Sequence, residues 1–321
     1  KKKCSMKILV TGGAGFIGSN LVGRLLEDDR FSLVRVMDNL STGFLKNLEE
    51  YENNPKFEFY GGDIRNYDQC LEACNGIDRI SHQAALGSVP RSIKDPITTN
   101  DVNISGTLNI FNAAREKNID RVIYAASSST YGDNDTLPKK EENIGNPLSP
   151  YAVTKYVMEL YARVFQNLYN IDFVGFRYFN VFGPKQDPNG AYAAVIPLFF
   201  KHALEGTNPT INGDGTFSRD FTYVSNVVQA NILALTNEDK LALNEVYNIA
   251  CGERNDLNIL WNYIKKITKS SSIAVYGQNR EGDIPHSLAD ISKVINKLGY
   301  NPSVKIEEGL MHSFEWYKSI N

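Results

Sequence analysis

Along the first half of the chain, short apolar runs alternate with longer stretches of helical periodicity, the rhythm of βαβ units around a parallel sheet. Strands are expected at 7–11, 33–37, 57–60, 77–81, 122–126 and 173–177, with helices at 16–27, 98–116 and 150–169. Pro150 suits the first turn of the last helix, where a missing N–H costs nothing. After Asn180 the rhythm breaks at Gly183-Pro184 and Asp187-Pro188-Asn189-Gly190, both loop signals. Helices follow near 194–204 and 224–235, and a strand at 246–250 resembles a late addition to the main sheet. The remainder reads as mostly helical around an irregular stretch at 277–287. The pattern predicts an α/β fold. A doubly wound parallel sheet spans 1–180, with returning segments near 219–250, and a smaller, interleaved C-terminal α/β unit comprises 181–218 and 251–321.

The turn between the first strand and the first helix adds chemistry. Gly13-Ala14-Gly15-Phe16-Ile17-Gly18 fits G-x-G-x-x-G, and Gly12, Gly15 and Gly18 fit a G-x-x-G-x-x-G spacing. Glycines there permit a tight turn, close approach of a pyrophosphate and close helix–strand packing. The helix N-terminus supplies N–H donors to the anion. Asp38 follows about twenty residues later at a strand end, which makes the sheet Rossmann-type and the ligand a dinucleotide. Its carboxylate can accept from both ribose hydroxyls and would repel a 2′-phosphate, so NAD is expected over NADP. Asp63-Ile64, past the third strand, can reach the adenine, although an aspartate there also suits a turn.

A second constellation lies further along. Tyr151 and Lys155 stand four residues apart on a predicted helix and so share a face. A nearby ammonium favours the phenolate and lowers its pKa, which makes Tyr151 a candidate base for a hydroxyl. An isolated Tyr-x-x-x-Lys pair is as readily a half-buried tyrosine beside a solvated lysine. What distinguishes this one is the preceding strand. It delivers Ser127-Ser128-Ser129 to the carboxyl edge of the sheet, where ligands bind in such folds.

Bulk properties narrow the field. The 321 residues suffice for one large α/β unit or two modest domains. A net charge of -3 and a pI near 5.9 argue against a nucleic-acid polymer as partner. No apolar stretch approaches bilayer length, no signal-peptide pattern opens the chain, and Lys1-Lys2-Lys3 reads as a solvated end. Of four cysteines, Cys70 and Cys74 share a helix face, but no second Cys or His pair stands at ligand spacing, so no metal is expected. Buried thiols in a reducing cytoplasm fit best.

Taken in order, the 11–18 turn, Asp38, Asp63-Ile64, His82-Gln83-Ala84-Ala85, the 127–132 segment, Tyr151 with Lys155, and Arg177-Tyr178-Phe179-Asn180 resemble the extended short-chain dehydrogenase/reductase family over nearly the whole chain. Gly87-Ser88-Val89-Pro90-Arg91-Ser92, Asn189-Gly190-Ala191-Tyr192-Ala193-Ala194-Val195-Ile196-Pro197 and His286-Ser287-Leu288-Ala289-Asp290 are similar to the UDP-sugar 4-epimerases within it, notably those acting on UDP-N-acetylglucosamine.

The resemblance implies roles. Tyr151 takes the proton of the sugar's 4-hydroxyl, Ser127 bridges hydroxyl and phenol, and Lys155 binds the nicotinamide ribose and holds the Tyr151 pKa down. Hydride leaves carbon 4 for a tightly held NAD and returns to the other face of a 4-keto sugar. NAD contacts are implied for Gly12, Gly15, Phe16, Ile17, Gly18, Asp38, Asn39, Ser41, Thr42, Gly43, Asp63, Ile64, Gln83, Ala84, Ala85, Tyr151, Lys155, Tyr178 and Val181. Asn180, Arg219 and Arg280 are expected on the substrate pyrophosphate, where arginine forms forked contacts. Ala194, Val195, Thr210 and Asn212 are expected around the uridine, and Gly87, Ser88, Ser128 and Asp283 elsewhere along the UDP-sugar. The position of Ser287 gates the acyl group at carbon 2 in this family; a serine there also suits a cap ahead of a helix at 289–298. Sugar 4,6-dehydratases carry Asp-Glu directly after the catalytic Ser/Thr, and related decarboxylases a Glu. Ser128 and Ser129 stand there instead, and neither can serve as a carboxyl acid or base. UDP-glucose/galactose and UDP-uronic acids remain alternative substrates. A silent NAD-binding sensor or scaffold would be free to lose Ser127, Tyr151 or Lys155, and all three are present. A homodimer through the helices at 98–116 and 150–169 is a family expectation.

Overall fold

The computed structural model describes residues 5–278 and 284–320. Seven parallel strands form one sheet: β1 (Met6–Thr11), β2 (Phe31–Asp38), β3 (Phe57–Gly61), β4 (Arg79–His82), β5 (Arg121–Ser127), β6 (Asp172–Tyr178) and β7 (Glu245–Ile249). Their spatial order is β7-β6-β5-β4-β1-β2-β3, so the chain winds outward in both directions from the β1–β4 pair. That reversal leaves a crevice at the carboxyl ends of the central strands, where sheets of this kind bind ligands. Every residue of β4 and β5 is buried, because helices cover both faces.

One core lies between the sheet and helices Phe16–Leu26 and Val224–Thr236, with Leu21, Leu25, Val227 and Leu235 against Val34, Ile123 and Phe176. The other face carries helices Tyr67–Ala73, Thr107–Glu116 and Pro150–Tyr169, where Phe111, Met158 and Phe165 pack on Ile80, Val122 and Phe173. A third cluster, with Phe199, Phe200, Trp261, Ile264, Leu310 and Tyr317, joins helices Val195–Glu205, Leu257–Thr268 and Ile306–Ile320. The short parallel pair Val181–Phe182 and Thr222–Tyr223 lies between this cluster and the end of β6. Cys70 and Cys74 sit in the second core, their thiols pushed up to about 12 by burial.

Three expected elements differ. The helix expected at 98–116 starts at Pro96 and contains a π-helical turn, Asp101–Gly106, between Pro96–Asn100 and Thr107–Glu116. Within that turn Asn103 exchanges hydrogen bonds with the Leu86 backbone (2.8 and 3.1 Å) and donates to Thr154 Oγ1 at 3.1 Å. The irregular stretch expected from 277 begins later, because Val275–Gly277 pairs in parallel with Thr210–Asn212. The helix expected from 289 starts at Ser292, whose N–H is taken by Asp290 at 2.8 Å, so Ser287 is not its cap.

Candidate active site

The glycine turn builds the first part of the crevice. Gly12 has φ +69°, and a Cβ on it would meet the Ala84 backbone at 2.7 Å. A Cβ on Gly18 would lie 2.2 Å from Gly12 O, so the helix start is pressed against the turn. Only Gly12 O, at 3.2 Å, approaches a Cβ on Gly15, which lines the cavity. Gly43 packs on the same turn, with a Cβ there only 2.8 Å from the Ala14 carbonyl carbon.

Asp38, at the end of β2, accepts from the backbone N–H groups of Ala14 (2.9 Å) and Leu40 (2.8 Å). Burial pushes its pKa up and these two bonds oppose the shift. A carboxylate offers about four acceptor positions, so two remain for a ligand. Asn39, Ser41, Thr42, Asp63, Ile64, Ala84 and Ala85 join it around a narrow pocket. Asp63 also has a local role. It pairs with Arg65 (2.6 Å) and accepts from Asn39 Nδ2 (3.0 Å), and its pKa is drawn down to about 2, chiefly by the Arg65 hydrogen bond.

Thr42 and Ala85 line both this pocket and a larger cavity of about 410 Å³. The larger one is walled by Gly12, Gly15, Phe16, Ile17 and Gly18 at one end and by Ser127, Tyr151 and Lys155 at the other, with Gln83, Gly87, Tyr178, Asn180 and Val181 between. Helix Pro150–Tyr169 brings its pair there because Ser149 caps it, accepting from Ala152 N at 3.1 Å, and Ser92 Oγ accepts from Tyr151 N at 3.0 Å. Lys155 Nζ donates to Ala125 O at 2.7 Å and lies 5.8 Å from the Tyr151 ring centroid.

Both members of the pair are enclosed, which the spacing alone did not show. Burial raises the Tyr151 pKa, and the neighbouring Ser127 hydroxyl opposes the shift. Lys155 is itself fully enclosed, which lowers its pKa to about 8, and its ammonium is directed at a backbone carbonyl.

Behind the cavity lies a polar network without a sequence signal. Tyr178 Oη donates to Gln83 Oε1 (3.1 Å) and accepts from Asn231 Nδ2 (2.9 Å). Gln83 Nε2 donates to Ser81 Oγ (2.9 Å) and Asn231 Oδ1 (3.1 Å). Asn231 belongs to helix Val224–Thr236, more than a hundred residues from Gln83 in the chain. Lys185 and Asp187 also line the cavity and were not foreseen as site residues; the sequence marked their segment only as a loop, through Gly183-Pro184 and Asp187-Pro188-Asn189-Gly190.

A second cavity, of about 370 Å³, is lined by Val195, Thr210, Asn212 and Arg219 as expected, and by His202, Phe217 and Phe221, which were not. Asn180, with φ +36°, lines both cavities. Arg219 Nη1 donates to Ser218 O (3.0 Å) and Pro285 O (3.2 Å). Ala194 is exposed at the cap of helix Val195–Glu205, and Ser88 caps Val89–Lys94, accepting from Arg91 N at 3.3 Å. Ser128 is half-buried in the turn after β5. Ser287 donates its backbone N–H to Ser218 O at 3.0 Å, one residue from Arg219. Arg280 and Asp283 lie outside the described residues.

Comparisons with known proteins agree with this geometry. The model of the NAD dependent epimerase/dehydratase family matches residues 8–250. A putative UDP-glucose 4-epimerase of Methanocaldococcus jannaschii is 39% identical over 98% of this chain and 99% of that protein. The solved UDP-N-acetylglucosamine 4-epimerase of Methanobrevibacter ruminantium, in complex with UDP-N-acetylmuramic acid, superposes with a TM-score of 0.92 at 40% identity, covering 99% of each chain. The UDP-glucuronic acid 4-epimerase of Bacillus cereus, solved with UDP-glucuronic acid and NAD, gives a TM-score of 0.91 at 33% identity, covering 98% of this chain and 100% of that one. With its glycine cradle, its Ser127, Tyr151 and Lys155, and a match spanning most of its length, the chain belongs to the NAD dependent epimerase/dehydratase family.

Proposed function

We propose that the chain is a UDP-N-acetylhexosamine 4-epimerase, interconverting UDP-GlcNAc and UDP-GalNAc. That it is an NAD-dependent nucleotide-sugar 4-epimerase rests on family membership. The observation that carries the substrate reading is Asn180. It borders both the cavity holding Ser127, Tyr151 and Lys155 and the cavity holding Thr210, Asn212 and Arg219, so one elongated ligand can reach from nucleotide site to base. The acetylated sugar is favoured by the 40% identity to an enzyme of that name and by the small side chain of Ser287.

NAD, when bound, supplies the acceptor and then the donor of the hydride at the sugar's carbon 4. Tyr151 removes and returns the proton of the 4-hydroxyl, and Ser127 holds that proton's path by hydrogen bonding. Lys155 donates to the nicotinamide ribose, and Asp38 accepts from the adenosine ribose. Gly12, Gly15 and Gly18 let the pyrophosphate approach the helix N-terminus. Arg219 with Asn180 takes the substrate's pyrophosphate, Thr210 and Asn212 the uracil. No carboxyl group follows Ser127, which favours returning the hydride over eliminating water. In this reading 1–180 with the returning 219–250 segment binds NAD, and 181–218 with 251–321 binds the UDP-sugar.

Exposed Ile97, at the start of the helical segment that contains the expected 98–116 helix, and exposed Leu160, Val164 and Leu168 on helix Pro150–Tyr169 support a homodimer through these two segments. Among the described residues no helix is long and apolar enough to cross a membrane, and free buried thiols fit the proposed cytoplasmic location. The test is product analysis after separate incubation with UDP-GlcNAc, UDP-glucose and UDP-glucuronate. Fastest turnover is expected with UDP-GlcNAc; faster conversion of either other sugar reassigns the substrate.

A further inference from the structure

Lys185 borders the cavity between the glycine turn and Tyr151, yet its ammonium reaches across to a distant segment. Nζ donates to Asn47 O at 2.8 Å and to Glu50 Oε1 at 2.9 Å, and lies 5.1 Å from the Tyr51 ring centroid. These contacts belong to a belt that begins and ends on the glycine turn. Ala14 O accepts from Phe44 N at 3.0 Å and from Asn47 Nδ2 at 2.9 Å. Asn47 O accepts from Lys185, and Pro184 O accepts from Asn20 Nδ2 at 3.0 Å. The same Asn20 amide donates to Phe16 O at 2.9 Å, which closes the belt. Phe16, Phe44, Asn47 and Lys185 all line the cavity, so the belt runs round its glycine-turn end.

The backbone at Lys185 is left-handed, with φ +68°. Residues with a Cβ adopt that conformation rarely, and it persists where surrounding contacts over-determine it. Here Asn20 holds the residue before, and Tyr317 Oη holds the residue after by donating to Gln186 O at 3.0 Å. The strained turn keeps the Lys185 side chain directed at the 47–51 segment.

We propose that Lys185 is the latch that retains NAD: its ammonium closes the belt over the dinucleotide's pyrophosphate, and the cofactor leaves only when that contact opens. NAD dependence comes from family membership, so the proposal stands whichever sugar is the substrate. An epimerase puts back the hydride it takes, so NAD has no need to leave between turnovers. The Lys185–Glu50 pair is a solvent-facing link of the belt, with the Glu50 side chain 62% exposed. The charge-assisted bond to Asn47 O holds the link shut, while the exposed pair to Glu50 exchanges readily with water.

The test loads the protein with NADH, adds a large excess of NAD and follows loss of the bound-NADH fluorescence. Lys185→Met is expected to speed release about tenfold or more, the size of one charge-assisted hydrogen bond. Glu50→Ala is expected to speed it about two- to fivefold, as an exposed ion pair allows. The double variant should release no faster than Lys185→Met alone, because the two side chains make one contact. Wild-type release from Lys185→Met overturns the proposal, as does a double variant whose effect is the product of the two single ones. Slower release from Glu50→Ala also overturns it, because the freed ammonium would then be binding the pyrophosphate itself. Should Lys185→Met fail to fold, Glu50→Ala decides alone, and release at the wild-type rate overturns the latch.

Discussion

Arg177 and Glu159 form a two-pronged ion pair, Nε to Oε1 at 2.9 Å and Nη2 to Oε2 at 2.8 Å, with both side chains about 95% buried. The pair ties β6 to the middle of helix Pro150–Tyr169, two turns beyond Tyr151. The Arg177 guanidinium also lies 4.9 Å from the ring centroid of Tyr131, in the turn that follows Ser127. One cation thus joins the helix carrying the candidate base to the strand end carrying its serine. Buried pairs of this kind cost desolvation and contribute position more surely than stability.

Removing one partner leaves the other charge buried and unpaired. Glu159→Leu is expected to destabilise the protein by about 3–5 kcal/mol. Denaturant unfolding at fixed NAD concentration measures this, and a loss below about 1 kcal/mol would mean the pair behaves like an exposed one.

Tyr151→Phe keeps the ring and removes the acid–base group. NAD should stay bound while turnover falls by about a hundredfold or more. Stopped-time product analysis checks it; near-normal epimerisation would take Tyr151 out of the mechanism.

Asp38 leads to an expectation about cofactor choice. The purified protein should absorb as a bound nicotinamide carrier, and NADP should support at most about a hundredth of the NAD rate, because like charges brought together cost several kcal/mol. Equal rates with the two cofactors would show that Asp38 does not face the ribose.

Ser287 is expected to set sugar size. Overfilling a packed site costs about 1–3 kcal/mol, so Ser287→Tyr should lower kcat/KM for the acetylated sugar pair about tenfold or more while leaving UDP-glucose and UDP-galactose much less affected. Equal losses on both pairs would mean Ser287 does not border the acyl group.

His82 gives a pH dependence with a definite sign. It is enclosed beneath the glycine turn, with Nδ1 2.7 Å from Thr11 Oγ1 and Nε2 2.9 Å from Thr107 Oγ1, and burial lowers its pKa to about 3. The unfolded chain binds a proton near pH 6.5 that the folded protein refuses until about pH 3. Stability from this group is therefore complete above pH 6.5 and lost as pH falls through that window, by up to about 4–5 kcal/mol. His82→Gln should flatten the slope of unfolding free energy between pH 6.5 and 4. An unchanged slope would assign the acid sensitivity to other groups.

The order of elements was legible from the chain because each strand and helix carries its own periodicity. The glycine spacing, Asp38 and the Tyr151–Lys155 pair were legible because turn geometry and helix pitch are local. Helix Pro150–Tyr169 has the bounds expected for it, since proline and its serine cap mark its start. What the sequence could not determine are relations between distant segments. The π turn at Asp101–Gly106 goes with Asn103 reaching Leu86 and Thr154, a contact no window around residue 103 contains. The Ser81, Gln83, Tyr178 and Asn231 network is likewise assembled from three separate parts of the chain. Most of all, helix spacing placed Lys155 beside Tyr151 but did not show that both would be enclosed, which raises the phenol's pKa and lowers the ammonium's. Desolvation depends on everything packed around a group, so only the tertiary structure decided how strongly burial opposes charge on Tyr151 and on Lys155.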